Sequence, residues 1–129
     1  MIVIKPVGKL NPQKPSEEFK YYAQATSSKK VDLNQLADLM SDGSTVRRND
    51  IYAVLVGMVD MSIKLLLDGN RIVLGDLGTF YVSVQSSPVD SIEDFSAHQV
   101  KGNKVNYLAS LAIKRALSGV AYSAAKTGR

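Results

Sequence analysis

The side chains of this sequence best placed to do chemistry are its cations, and the chemistry open to them is neutralisation of phosphate. Lys and Arg number 16 against 12 Asp and Glu, a formal charge of +4. That charge is segregated. Residues 1–33 carry +3 and residues 34–80 carry −2, while residues 81–100 carry −3 from Asp90, Glu93 and Asp94. Residues 101–129 carry six basic groups and no acid. Such a block draws a protein to polyanions by counterion release, although a solvated helix face with a basic tail has the same composition.

Catalytic chemistry has little to work with. The absence of Cys removes disulfides, thiolate zinc sites and thiol nucleophiles together. His98 is the only histidine, so no His pair can hold a metal, and a general base there lacks a partner. Asp60, Asp68 and Asp76 are scattered without a basic partner pattern. Gly75 and Gly78 fit neither G-x-x-x-x-G-K-[ST] nor G-x-G-x-x-G. No apolar run approaches the ~20 residues of a membrane span, and Lys5 and Pro6 interrupt Met1-Ile2-Val3-Ile4 too early for a signal peptide. The expectation is a cytoplasmic, non-enzymatic protein with no cofactor, no metal and no small-molecule substrate. A length of 129 residues, 45% of them hydrophobic, suits one domain or a subunit of a small oligomer.

The elements that must position the cations follow from periodicity. Ile2, Val3, Ile4 and Val7 read as a strand, residues 11–18 with Pro12 and Pro15 as a loop, and residues 19–26 as a second strand. Together they predict an N-terminal hairpin. Asp32 is placed as an N-cap ahead of Leu33, Leu36, Leu39 and Met40, a helix stopping near Gly43. Ser44 or Thr45 is expected to cap a longer helix that ends at Asp68-Gly69-Asn70.

That longer helix holds Ile51, Val54, Leu55, Met58, Met61, Ile63, Leu65, Leu66 and Leu67, too many apolar residues for one narrow stripe. Some must face a second surface, such as another subunit. Ile72-Val73-Leu74 and residues 79–84 flank Gly75 and Gly78 as a hairpin, and residues 85–93 read as a connection or arm tip. Residues 95–105 are expected to return as a strand, residues 107–117 to form a helix stopped by Gly119, and residues 120–129 to be loosely held. The fold class is α+β.

Two helices followed by Asp68-Gly69-Asn70-Arg71-Ile72-Val73-Leu74-Gly75-Asp76-Leu77-Gly78-Thr79-Phe80 resemble the HU/IHF family of bacterial histone-like proteins. That family carries E-G-D-x-V-x-L-x-G-F-G-T-F after a long second helix. Tyr107, Ala112, Ile113 and Lys114 also align with its F-R-x-G-K-x-L-K segment. Asn11-Pro12-Gln13 and Tyr21-Tyr22-Ala23-Gln24 look like a divergent HU-related branch with an N-terminal extension. The resemblance implies three segments: residues 1–30 as a β-hairpin extension, 31–119 as an HU-like DNA-binding domain, and 120–129 as a flexible tail.

It further implies an intertwined homodimer with a β-sheet saddle and two arms, bound without sequence preference to double-stranded DNA in the nucleoid. Dimer contacts are expected from Leu36, Leu39, Val54, Leu55, Met58, Ile63, Leu66 and Phe80. Lys101, Lys104, Lys114, Arg115, Arg47 and Arg48 are the candidate phosphate contacts, with the backbone of Gly78. The pattern also departs from the family. Ser83 and Gln85 stand at saddle positions, and Leu108 and Leu111 at C-terminal positions, where the family has Arg or Lys; Pro88 is the arm's one proline and has no cation beside it.

A second reading follows from these departures: an HU-fold dimeric scaffold or interaction module whose DNA binding is weak or lost. Individual residues have alternatives too. Lys101 and Lys104 could guard a strand edge, Arg47 and Arg48 could face solvent in a first helical turn, and Gly75 and Gly78 could serve backbone conformation.

Overall fold

The computed structural model describes residues 1–10, 13, 19–26 and 29–125. The loop expected at 11–18 lies outside them except for Gln13, as do the last four residues of the expected tail. The described residues form a mixed α+β fold with three α-helices and two three-stranded sheets. Their contacts divide the chain into one unit of residues 1–30 with 116–129, and another of residues 31–115. Among the described residues no helix is long and apolar enough to cross a membrane.

In the first unit, strands β1 (Ile2–Lys9) and β2 (Lys20–Ala25) pair antiparallel from Ile4 opposite Ala25 to Lys9 opposite Lys20. The ring of Phe19 occupies the space that a Cβ on Gly8 would need, so the glycine lets an aromatic pack directly on the strand. Tyr122–Ala124, expected to belong to a loose tail, instead form a strand (β6, the last in the chain) parallel to β1. The Ile2 amide donates to the Ala121 carbonyl at 2.9 Å and the Ala125 amide to the Ile4 carbonyl at 2.7 Å. These bonds, closed from the far end of the chain, tie the segment down.

The second unit begins with α1 (Leu33–Ser41), capped as the sequence predicts. The Gln35 amide donates to the Asp32 carboxylate and the Asp32 amide to the Gln35 side chain, both at 2.9 Å. This reciprocal box satisfies two of the amides that a helix start leaves unpaired. Helix α2 (Arg48–Leu67) starts later than expected, with Arg47 at the cap and no side-chain cap bond. The Ser44 hydroxyl accepts from the Val46 amide at 3.0 Å, which spends that side chain on the inter-helix turn. At the far end Gly69 takes a φ of +84°, and the Asn70 amide returns to the Leu65 carbonyl at 3.0 Å, closing the helix in a left-handed turn.

Ala37, Ile51 and Leu55 are the buried core, flanked by Leu33 and Tyr52. At 100° per residue the apolar side chains of α2 spread over about 240° of its circumference. Ile51 and Leu55 meet α1, whereas Val54 is 71% exposed and Met58, Met61, Ile63 and Leu65 are also exposed.

Strands β3 (Ile72–Val73), β4 (Thr79–Ser86) and β5 (Val100–Leu108) form the second sheet in that order. A 3-10 turn at Gly75–Leu77 joins the first two. The arm between β4 and β5 is closed by paired bonds of Ser87 with Gln99 at 2.8–2.9 Å. The strand predicted from residue 95 starts only at Val100, because a second capping box, Ser96 with Gln99, winds Ala97–Gln99 into a turn. The predicted helix from residue 107 likewise starts four residues later, as α3 (Leu111–Ser118). Tyr107 and Leu108 remain in β5, and the Ser110 hydroxyl caps α3 by accepting from the Ile113 amide at 3.1 Å.

Gly78 has a φ of +135°, and a Cβ there would sit 2.6 Å from the Leu108 carbonyl oxygen and from the Tyr107 ring. Gly69 shares a positive φ, but a Cβ there meets nothing within 4 Å. Gly78→Ala is therefore expected to lower unfolding free energy by about 3 kcal/mol, from strain plus overpacking. Gly69→Ala should cost about 1 kcal/mol. Urea titrations of the two variants check the difference.

Candidate nucleic-acid interface

Alternation sorts the second sheet into two faces. Phe80 and Val82 on β4, with Tyr107 and Val105 opposite them on β5, make one face. Phe80 borders a hollow of about 190 Å³ with Met58, Val59, Ile63 and Leu66 of α2. Val82 and Val105 border another of about 250 Å³ with Ile63, Leu66 and Leu67. This is the face turned to α2, and the hollows show how loosely α2 fills it.

The other face carries Tyr81, Ser83 and Gln85 on β4, opposite Asn106, Lys104 and Gly102 on β5. The Asn106 side-chain amide donates to the Ser83 hydroxyl at 2.8 Å, fixing both across the strands. The Arg71 guanidinium stacks 4.5 Å from the centroid of the Tyr81 ring. A cation over an aromatic face is held in place by the ring quadrupole while its remaining donors stay open. Arg71 and Lys104 thus share one polar face with Tyr81 and Asn106, with Ser83 and Gln85 among them. Neutral Ser83 and Gln85 alone suggest an uncharged saddle; Arg71 supplies charge from the neighbouring strand end. The signal was legible in the register: once Ile72 pairs with Phe80, the preceding residue falls beside Tyr81.

The structure distributes the other expected contacts unevenly. Lys101 is exposed at the β-bulge where the β4–β5 register shifts between Gln85 and Ser86. Lys114 and Arg115 are exposed on α3, and Arg47 is exposed ahead of α2. Arg48 is engaged elsewhere: it pairs with Asp38, donates to the Asn34 side chain at 2.7 Å, and lies 5.9 Å from the Tyr52 ring centroid. Its place is a clamp between α1 and α2. Gly78 is buried and confined by the Leu108 carbonyl and the Tyr107 ring.

Of the expected dimer residues, Leu55 is committed to the core within one chain. Leu36, Leu39, Val54, Met58 and Ile63 are exposed, and Leu66 and Phe80 are half-buried. No group of three or more His, Cys, Asp or Glu among the described residues could hold a metal ion.

Two helices, a three-stranded sheet with an arm, and a third helix follow the order of an HU-type domain. The sequence matches the HU-HIG family, described as an HU domain fused to wHTH, Ig, or glycine-rich motif, over residues 5–123, and the chain belongs to it. A crystal structure from Bacteroides vulgatus ATCC 8482, described as a "Putative bacterial DNA binding protein", is similar with a TM-score of 0.63. It shares 14% identity, and the match covers 95% of this chain and 48% of that one. At such identity the likeness is one of fold, and the chain spans about half that protein's length. No curated protein matches.

The clamp role of Arg48 has a measurable consequence. Arg48→Ala should lower unfolding free energy by about 1 kcal/mol, since the ion pair is solvent-exposed and the ring contact modest. Adding Asp38→Ala should cost little more, because the two changes remove the same interaction. A double-mutant cycle in urea tests this.

Proposed function

We propose that this chain is a non-enzymatic, HU-like DNA-binding protein that acts as a homodimer and meets the duplex backbone without sequence preference. In this reading residues 31–119 are the DNA-binding domain, residues 1–30 an added β-hairpin, and the protein is cytoplasmic and nucleoid-associated. The observation that carries it is the polar face of the second sheet, where Arg71 is held on Tyr81 beside Lys104, Ser83 and Asn106. Cations and hydroxyl or amide donors on a sheet are suited to phosphate and sugar contacts, which position a protein without reading bases. Family membership and the fold neighbour described as DNA-binding support the choice of ligand.

A homodimer accounts for the other half of the same domain. Val54, Met61 and Leu65 lie on the side of α2 away from the sheet hollows, with Met58 at the rim of one hollow, and all four are exposed in one copy. Burying such a side chain fully contributes roughly 1.5–3 kcal/mol, and a two-fold partner would cover the set with its own.

The arm favours a second reading, a dimeric interaction module. Ile92 is 90% exposed and Phe95 72% exposed, beside Asp90, Glu93 and Asp94. That mixture repels phosphate and would suit a protein partner with a basic rim.

Salt-dependent binding separates the two. Each neutralised phosphate contributes about 0.9 to the slope of log affinity against log salt. Titrating duplex DNA should give a salt-sensitive complex. Arg71→Gln with Lys104→Gln should flatten the slope by up to about 3.6 in a dimer, from two cations on each chain. No binding below about 10 μM at low salt, or binding indifferent to salt, would leave the interaction-module reading in its place.

A further inference from the structure

We propose that the N-terminal sheet carries a second DNA-backbone contact, on the face formed by Lys5, Lys9, Lys20 and Tyr22. The inference rests on the DNA-binding reading above and extends it to residues outside the HU-like domain.

The register builds this face. Lys9 lies directly opposite Lys20, Val7 opposite Tyr22 and Lys5 opposite Gln24, in unbroken register along the pair. Residues directly opposite share a face, as do residues two apart along a strand. All three lysines and the phenol of Tyr22 therefore project to one side. The other side carries Ile4, Pro6, Tyr21 and Ala23, which line a groove of about 490 Å³ together with Ala124 and Ala125 and, at its edge, parts of Lys5 and Tyr22.

Three observations select a polyanion as the occupant. Like charges directly opposite each other in a sheet are destabilising, and Lys9 and Lys20 hold that arrangement. The described residues of this unit include no Asp or Glu to relieve it; the unit's two carboxylates, Glu17 and Glu18, lie outside the described residues. The lysines are exposed, and Tyr22 is 54% exposed between them, with a hydroxyl able to bond a phosphate oxygen.

The spacing suits a regular array of charge. Lys5 and Lys9 are about 13 Å apart along an extended strand, the axial rise of about four phosphates on one DNA strand. A compact anion would engage only one end of that span, whereas a nucleic-acid backbone engages both.

The test is a salt titration of duplex DNA binding by the full chain and two triple variants, with sedimentation of each protein alone. Lys5→Gln with Lys9→Gln and Lys20→Gln should reduce the slope of log affinity against log salt by up to about 2.7 per chain, and weaken low-salt binding about tenfold or more. The corresponding triple Lys→Arg variant should keep the slope. An unchanged slope in the Gln variant, with loss still caused by Arg71→Gln and Lys104→Gln, overturns this contact and leaves the DNA-binding reading standing. Equal losses in the Gln and Arg variants overturn it in favour of a structural effect. Failure of the unaltered protein to bind DNA overturns both readings. A fall in sedimenting mass with an unchanged slope also overturns the contact, and assigns the face to an acidic surface on a second copy.

Discussion

Helix α2 sets the terms for the rest of residues 31–115, because it has more apolar surface than its neighbours in the chain can cover. Its apolar side chains occupy about 240° of the circumference. Helix α1 seals one part through Ala37, Ile51 and Leu55. The sheet approaches another through Phe80 and Val82 and leaves hollows beside them. Between these contacts Val54, Met58, Met61 and Leu65 remain exposed. The capping box at Asp32 starts α1, the Arg48–Asp38 clamp ties α1 to α2, and the left-handed turn at Gly69 ends α2. None of them reduces that exposed surface, which is why a second copy of the chain belongs to the proposed function.

The same requirement arranges the sheet. Since alternate residues of β4 must meet α2, the intervening ones are turned the other way, and these are the polar set: Tyr81, Ser83 and Gln85. Gly78 makes the entry to β4 possible, bringing the backbone under the Tyr107 ring while the Tyr107 hydroxyl donates to the Leu77 carbonyl at 2.5 Å. Arg71 then stacks on Tyr81 from the strand end next door. The N-terminal sheet repeats this sorting by itself, with lysines on one face and small or apolar residues on the other. In both sheets, period-two alternation separates a face that carries charge from a more apolar one.

What the residues disclosed in advance was mostly local. Asp32 announces a helix start, and Gly43 and Asp68-Gly69-Asn70 announce stops, because capping and turn chemistry are decided by near neighbours. The apolar excess of α2 is equally visible in sequence. Features decided at long range were hidden. Strand β6 has three residues of modest β-propensity and exists because it pairs with a strand more than a hundred positions earlier.

Arg71 looks like part of a turn until the Ile72–Phe80 pairing places it on Tyr81. Arg48 looks available to phosphate until Asp38 and Asn34 claim it. Lys101 and Lys104 were legible as cations on a returning strand. Their separation, one at a bulge and one on the polar face, depends on a register shift that composition does not encode.

The central claim, that α2 is completed by a second copy of this chain, is tested most directly by the concentration dependence of unfolding. If folding and pairing are coupled, mass action stabilises the folded state as protein concentration rises. The denaturation midpoint should then move to higher urea across a hundredfold range of protein concentration, with circular dichroism and sedimentation reporting the same transition. A midpoint independent of concentration, with the chain sedimenting as a single 14.0 kDa species throughout, would contradict the account.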